Sequence, residues 1–549
     1  MTGGELLMQC ILAQGGRMGF GVPGESYLAL LDAMRDAPFR FVNARHEGGA
    51  AFMAEAWGKL TGEVGLSFVT RGPGATNAAI GVHSAMQAST PMILFVGQVG
   101  AEMRGREAFQ EVDYRAAFGP LAKWAVEIEQ ADRIPEIVAR AWATAQSGRP
   151  GPVVVALPEN VLSAEVSAPV CRPVVVAEPA PSAEDVAAAI DALAKAERPL
   201  ILAGGSAWRD TGRADLQAFA EAADIPVVVS FRRQDVMDNA SPCYAGDAGV
   251  GMPAATARLI READVILAIG PRFGEMTTDG YTLLRAPDPE QVLIHVHPSA
   301  DEIGKIYTPR HAIVSGPNRM AAALRDAGLR PVAARAGWRE TARAGVEAVF
   351  RTRPQPSPVD MVAVCAHLRE VLPPDTILTN GAGNFATWPS RHVPLGGGRR
   401  LLAPQSGAMG YGIPAAIAAS LEAPERTVVC FAGDGDFQMT GMELATAAQE
   451  GARPIVLVLD NRSYGTIRMH QERHFPERVS GTDLSNPDFA ALARACGLHG
   501  AHVARTEDFP AAFDAALGSG TAAVLHLDIA TEAITPGQTI AEIHAAASG

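Results

Sequence analysis

The chain has 549 residues, 48% of them hydrophobic and 19% charged, with a formal net charge of −14. That length exceeds one hydrophobic core and suggests about three domains, while the acidic balance argues against a nucleic-acid partner. Six cysteines (Cys10, Cys171, Cys243, Cys365, Cys430 and Cys496) form no CxxC pair, which excludes a zinc ribbon and fits a reducing compartment. The amino-terminal Met1-Thr-Gly-Gly-Glu-Leu lacks a basic n-region, and no apolar run is long enough for a bilayer. A cytoplasmic protein without a membrane partner is expected.

In chain order, the loop Val22-Pro-Gly-Glu25-Ser26 sets an acid behind a Pro-Gly turn. Phe39-Arg-Phe-Val42 reads as a short strand, and His46-Glu47-Gly-Gly-Ala-Ala-Phe-Met-Ala-Glu55 opens a small-residue helix after it. Glu47 is expected to be partly buried there. A desolvated carboxyl has a raised pKa and can share a proton with a ring nitrogen, whereas an acid merely favoured by the helix dipole fits the same letters. The runs Val64–Val69 and Pro91–Val96 are apolar strands joined by alanine-rich helix, a doubly wound α/β pattern. Between and beyond them lie Thr70-Arg-Gly-Pro73-Gly-Ala-Thr-Asn77, Ala108-Phe-Gln110-Glu-Val-Asp113 and Gly119-Pro-Leu-Ala-Lys123-Trp124.

Proline- and valine-rich residues 168–181 read as a linker, with Ser182 as the N-cap of a new helix. The strands Pro199–Ala203, Pro226–Ser230, Asp264–Ile269 and Val292–Val296 build a second parallel sheet. A second linker, Arg351-Thr-Arg-Pro-Gln-Pro-Ser-Pro358, precedes the last third. Three units follow, 1–167, 182–332 and 358–549, so the fold class is α/β with three doubly wound parallel-sheet domains.

In the third unit, Gly381-Ala382-Gly383-Asn384-Phe-Ala386 is a weak GxGxxA match for a nicotinamide dinucleotide. No acid stands about 20 residues on to hold a ribose, since Gly396-Gly-Gly-Arg-Arg-Leu-Leu-Ala403 offers none. Next come Gln405-Ser-Gly407-Ala-Met409-Gly-Tyr-Gly-Ile-Pro414 and two apolar runs. Thr427–Ala432 closes in Gly433-Asp434-Gly435-Asp436, and Pro454–Leu459 closes in Asp460-Asn461. Both runs read as buried parallel strands, so both polar clusters fall at strand carboxyl ends, where such sheets bind ligands. Asp434 and Asn461 suit Mg²⁺, which takes few protein oxygens and leaves the rest of its octahedron to phosphate and water. A glycine turn and a capping Asn are the plain alternative.

These motifs together resemble the thiamine-diphosphate (ThDP)-dependent enzymes, in the acetolactate-synthase-like branch, over nearly the whole chain. The resemblance makes Glu47 the acid that bonds the aminopyrimidine and promotes deprotonation of the thiazolium carbon, with Gln110 an active-site amide nearby. Pro73 and Asn77 fall in the family's TSGPGATN segment, and Lys123 in its PITK segment. Ala382, Gly383, Asn384 and Trp388 match the diphosphate-binding turn, and Gly407 and Met409 the loop whose Met wedges the bent cofactor. Gly433, Asp434, Gly435, Asp436, Asn461, Ser463, Tyr464 and Gly465 belong to the ThDP and Mg²⁺ motif, whose metal ligands are Asp434, Asn461 and the Ser463 carbonyl. On local sequence alone Gln110 and Lys123 read as surface residues and Met409 as core.

The resemblance also implies a homodimer or homotetramer with Glu47 of one subunit facing the diphosphate site of another. Its implied reaction is carboligation by a transferase: a 2-oxo acid loses CO₂ and the remainder passes to an aldehyde or oxo-acid acceptor. Simple decarboxylation, a C–C lyase and a degenerate ThDP-binding subunit are the alternatives. Two departures bear on product choice. Glu25 stands where decarboxylases of the family place an acid, and His470 stands where acetolactate synthases carry a Trp; solvent-facing positions are the plain alternative for both. FAD in the middle unit matches only in part, because Gly274 follows Arg272-Phe273 and His295-Val-His297 replaces acids; a ligand-free sheet domain is the competing reading.

Overall fold

Apolar β-branched runs dictate the architecture, because a strand buried on both faces needs no alternation. The structure, a computed structural model, describes residues 1–332, 335–351 and 353–548. It contains three six-stranded sheets, and every pairing within them is parallel.

The first sheet holds β1 (Met18–Gly21), β2 (Arg40–Asn43), β3 (Gly65–Val69), β4 (Met92–Gln98), β5 (Trp124–Glu127) and β6 (Pro152–Pro158), in the order 2-1-3-4-6-5. The third repeats that order with β13 (Ile377–Asn380), β14 (Arg400–Leu402), β15 (Val428–Gly433), β16 (Ile455–Asp460), β17 (His499–Val503) and β18 (Ala523–Asp528). The middle sheet holds β7 (Pro199–Ala203), β8 (Val227–Ser230), β9 (Tyr244–Ala248), β10 (Val265–Ile269), β11 (Val292–His297) and β12 (His311–Val314). Its order is β12-β11-β10-β7-β8-β9, which counted from its own first strand is the dinucleotide-binding order 3-2-1-4-5-6. Ser182 caps the helix Ala183–Lys195 through a reciprocal bond with Asp185.

One core is shared between the first and third sheets. The helix Glu47–Thr61 packs on Gly412–Glu422, joining Phe52, Trp57, Val69, Tyr411, Ile417 and Phe437 in a single apolar cluster. Inside it Lys59 Nζ meets Glu55 Oε1 at 2.8 Å, and both side chains are buried. Glu55 also accepts from Thr90 and Tyr411, and Lys59 donates to the Ala403 carbonyl. A buried ion pair survives only with its remaining lone pairs and protons satisfied, and here the partners come from both units. No helix among the described residues is long and apolar enough to cross a membrane.

Candidate active site

The chain order of the third sheet reverses between β13 and β15, the switch point at which open α/β sheets bind ligands. A cavity of about 270 Å³ lies there, lined among others by Gly383, Met409, Asp434, Asn461, Tyr464 and Ile467. Register explains the convergence: Gly433 on β15 is level with Leu459 on β16, so Asp434 and Asp460 leave neighbouring strands side by side. The helix Asp434–Thr440 starts directly at the strand end.

Asp434 is buried, accepts from Gly435 N–H at 2.9 Å and from Asn486 Nδ2 at 2.7 Å, and burial nonetheless raises its pKa. Asn461 Oδ1 accepts from Ser463 N–H at 3.1 Å. Ser463 Oγ is buried with no hydrogen-bond partner, and its carbonyl accepts from Gly465 N–H at 2.7 Å. A carboxylate short of positive charge, an amide oxygen and the Ser463 carbonyl, with an orphaned hydroxyl beside them, form an oxygen donor set suited to a hard divalent cation.

Asp436 does different work. It is buried, burial pushes it up to about 7, and its Oδ1 accepts from Ala382 N–H at 3.1 Å and Gly410 N–H at 2.8 Å. One carboxyl thus pins the 381–384 turn to the 405–410 loop. A Cβ on Gly381 would lie 1.9 Å from that carboxyl oxygen, so the turn requires glycine. A Cβ on Gly435 would lie 2.5 Å from the Tyr464 ring. Asn384 is fixed by Thr466, which bonds both its N–H and its side-chain oxygen. Thus Ala382, Gly383, Asn384, Gly407, Met409, Gly433, Asp434, Gly435, Asp436, Asn461, Ser463, Tyr464, Gly465 and Trp388 share one cavity wall.

The first-unit candidates, and His470 of the third unit, lie elsewhere in the chain. Glu47 is half-buried at the start of its helix, and Oε2 accepts from Asn77 Nδ2 at 2.9 Å. Its charge adds to burial in raising the Tyr27 hydroxyl pKa. Gln110 has φ +65°, uncommon for a non-glycine residue, and its carbonyl accepts from Gly72 N–H at 3.1 Å, beside Pro73. Glu25 is exposed and 3.5 Å from Arg71 Nη2, which also pairs with Glu159. Lys123 donates to the Thr144 and Ser147 carbonyls at the end of the helix Ile134–Gln146, and burial lowers its pKa to about 8. His470 is exposed on the helix Gly465–His474 with its ring stacked on His474. None of Glu47, Asn77, Gln110, Pro73, Glu25, Lys123 and His470 lines the 270 Å³ cavity within one chain.

Two contributors had no motif to announce them. Asn486 Nδ2 bonds both Asp434 Oδ2 and Asp460 Oδ1 at 2.7 Å, tying the two strand ends together. Glu443, buried in the third unit, accepts from Arg45 N–H and His46 N–H at 3.0–3.2 Å, and so holds the start of the Glu47 helix. A Cβ on Gly49 would lie 2.4 Å from Glu443 Oε1, which is why a glycine follows Glu47 by two. A second cavity, of about 470 Å³, opens between the units and is lined by Gln87, Gly205, Arg232, Arg272, Gly274 and Gln405, among others.

Comparison with known proteins agrees with this geometry. Residues 1–117 match the thiamine pyrophosphate enzyme N-terminal TPP binding domain, 186–324 the central domain and 381–527 the C-terminal TPP binding domain. The chain is 30% identical over 531 residues to the acetolactate synthase isozyme 2 large subunit of Escherichia coli (strain K12), covering 96% of each chain. It is 33% identical over 508 residues to the acetolactate synthase large subunit of Lactococcus lactis subsp. lactis, covering 90% of this chain and 87% of that one. For the Corynebacterium glutamicum acetolactate synthase large subunit the identity is 31% over 529 residues, covering 92% and 83%. With both TPP binding domains and the central domain matched in order, the chain belongs to the thiamine pyrophosphate enzymes and is similar along its length to acetolactate synthase large subunits.

Proposed function

We propose that this enzyme is a ThDP- and Mg²⁺-dependent carboligase of 2-oxo acids, acetolactate-synthase-like in its chemistry. The observation that carries the reading is the pocket at the β13/β15 switch point, where Asp434, Asn461 and Ser463 offer oxygen to one cation beside glycine turns open to a diphosphate. ThDP, when bound, supplies the electron sink that lets the carboxylate of a 2-oxo acid leave as CO₂. The chain's own residues do the rest. Asp434, Asn461 and the Ser463 carbonyl would hold Mg²⁺, Met409 would shape the pocket, and Glu47, kept in place by Asn77, would hold or move a proton at its carboxyl.

Because Glu47 lies outside the cavity of its own chain, the reading requires a second copy to bring it there. Exposed Leu28, Ile80 and Phe109 in the first unit and Met439, Met442 and Ile467 in the third supply apolar surface for that homodimer. FAD fits the second cavity by the same logic. The middle sheet has the dinucleotide-binding strand order, Gly205 lies just past β7 at its switch point, and Arg232 and Arg272 offer counter-charges. Purified protein without visible flavin absorbance, and with none gained on adding FAD, would remove that ligand.

Incubation with pyruvate, analysed by mass spectrometry, tests the main reading: acetolactate and CO₂ are expected, dependent on ThDP and Mg²⁺. Acetaldehyde alone would make the enzyme a decarboxylase, and no ThDP-dependent consumption of any 2-oxo acid would overturn the proposal. Glu47→Gln should cut turnover by roughly 10²- to 10⁴-fold, typical of lost acid–base catalysis, while calorimetry still shows ThDP binding.

A further inference from the structure

Beyond the switch-point pocket, the far edge of the third sheet carries a cluster that the proposed reaction leaves unused. His502 on β17 and His526 on β18 are direct register partners, and Asp528 follows His526 by two, on the same face of the sheet. Donor atoms of the three lie within 4.8 Å of one another. His502 Nε2 is 2.8 Å from Asp528 Oδ1, and the two imidazole centroids are 4.9 Å apart.

The state of His526 is the informative part. His526 is 8% exposed, and its ring is held edge-on by Phe489 at 5.0 Å. Nε2 lies 2.8 Å from Asp460 Oδ2, and an ionised carboxylate only accepts, so that nitrogen carries the proton. Nδ1 is buried with no hydrogen-bond partner. Its nearest charged neighbour is Asp488 Oδ1 at 3.9 Å, which offers no proton. An imidazole nitrogen without a partner, in a ring whose other nitrogen bonds a carboxylate, is the arrangement of a carboxylate–histidine–metal triad. His502 and Asp528 are part-exposed, which leaves an entry path from solvent.

We propose that His526, His502 and Asp528 form a transition-metal site of the Zn²⁺ class, with Asp460 orienting His526 from behind and Asp488 or water completing the coordination. Nitrogen donors select Zn²⁺ over Mg²⁺, and three protein ligands plus one open position satisfy its tetrahedral preference. Ligand distances of about 2.0–2.2 Å draw the donors closer than they now stand, a movement the exposed His502 side chain can supply. Asp460 also accepts from Asn486, the residue that bonds Asp434. The new site is thus linked through two side chains to the cavity wall, though it shares no donor with it.

The test is titration of Mg²⁺- and ThDP-saturated enzyme with Co²⁺, followed by visible d–d absorbance, with Zn²⁺ as competitor. The expected result is one Co²⁺ per chain in a tetrahedral site, displaced by Zn²⁺. His502→Ala, a change at an exposed side chain, should weaken Co²⁺ binding by roughly tenfold or more with ThDP affinity unchanged, and Asp528→Asn should do the same. His526→Asn should abolish the absorbance. Absence of the absorbance in the unaltered enzyme would overturn the proposal. So would a band that persists undiminished in His502→Ala and Asp528→Asn, since the Co²⁺ would then sit elsewhere.

Discussion

At the scale of single residues, the acids of the GDGD turn divide the work by what each faces. Both line the cavity, but Asp434 stands beside Asn461 whereas Asp436, two positions on, is occupied by the Ala382 and Gly410 N–H groups. Asp434→Ala should therefore abolish Mg²⁺-dependent ThDP binding in a calorimetric titration, because the diphosphate loses its counter-ion; tight binding in that variant would move the metal elsewhere. Asp434, Asn461 and the glycines around them were legible in the sequence because strand ends and tight turns are local features. Asn486 was not: it lies in a loop remote from both strands in sequence, and only the fold brings its amide between Asp434 and Asp460. We propose that Glu25 and His470 bear on product choice in the dimer. His470→Trp should shift the ratio of carboligation to aldehyde, and an unchanged ratio would leave His470 as the surface residue it is within one chain.

At the scale of elements, the strands with continuous apolar runs were legible, β3, β4, β7, β8, β10, β15 and β16 among them. Strands such as β1, with Gly19 and Gly21, and β17, with His499, Gly500 and His502, carry no such run. They are strands because neighbours pair with them, a tertiary cause that local pattern does not contain. The same holds for the start of the helix Glu47–Thr61. His46 caps Gly48 N–H locally, but Glu443, almost 400 residues away, takes Arg45 N–H and His46 N–H. Removing that acceptor leaves two backbone donors unpaired at about 1–3 kcal/mol each when buried. Glu443→Ala should lower thermal stability accordingly and reduce turnover by letting Glu47 drift, whereas Glu443→Gln, which keeps one acceptor oxygen, should recover part of both. Equal loss in the two variants would mean that the carboxylate's charge, not its position as an acceptor, is what matters.

At the scale of the whole molecule, the middle sheet buries two histidines on one strand, β11. Burial pulls His295 and His297 down to about 4, and His295 Nε2 bonds the Pro271 carbonyl at 3.0 Å inside an aromatic cluster with Phe273 and Tyr307. Unfolded, a histidine titrates near 6.5. Between those values the unfolded chain binds a proton that the folded chain refuses, so stability is lost as pH falls from about 6.5 toward 4, at up to about 1.4 kcal/mol per pH unit for each histidine. Asp436 acts in the opposite sense: its carboxyl, raised to about 7, keeps a proton that the unfolded chain releases, so its contribution is lost as pH rises through that range. A bare pH–stability curve mixes the two. The difference between the enzyme and His295→Phe isolates the histidine, because phenylalanine suits the aromatic cluster and its unpaired Pro271 carbonyl costs the same at every pH. Calorimetric melting should show the deficit of His295→Phe shrinking as pH falls from about 7 to about 5; two curves that stay parallel would mean that His295 takes up its proton in the folded state.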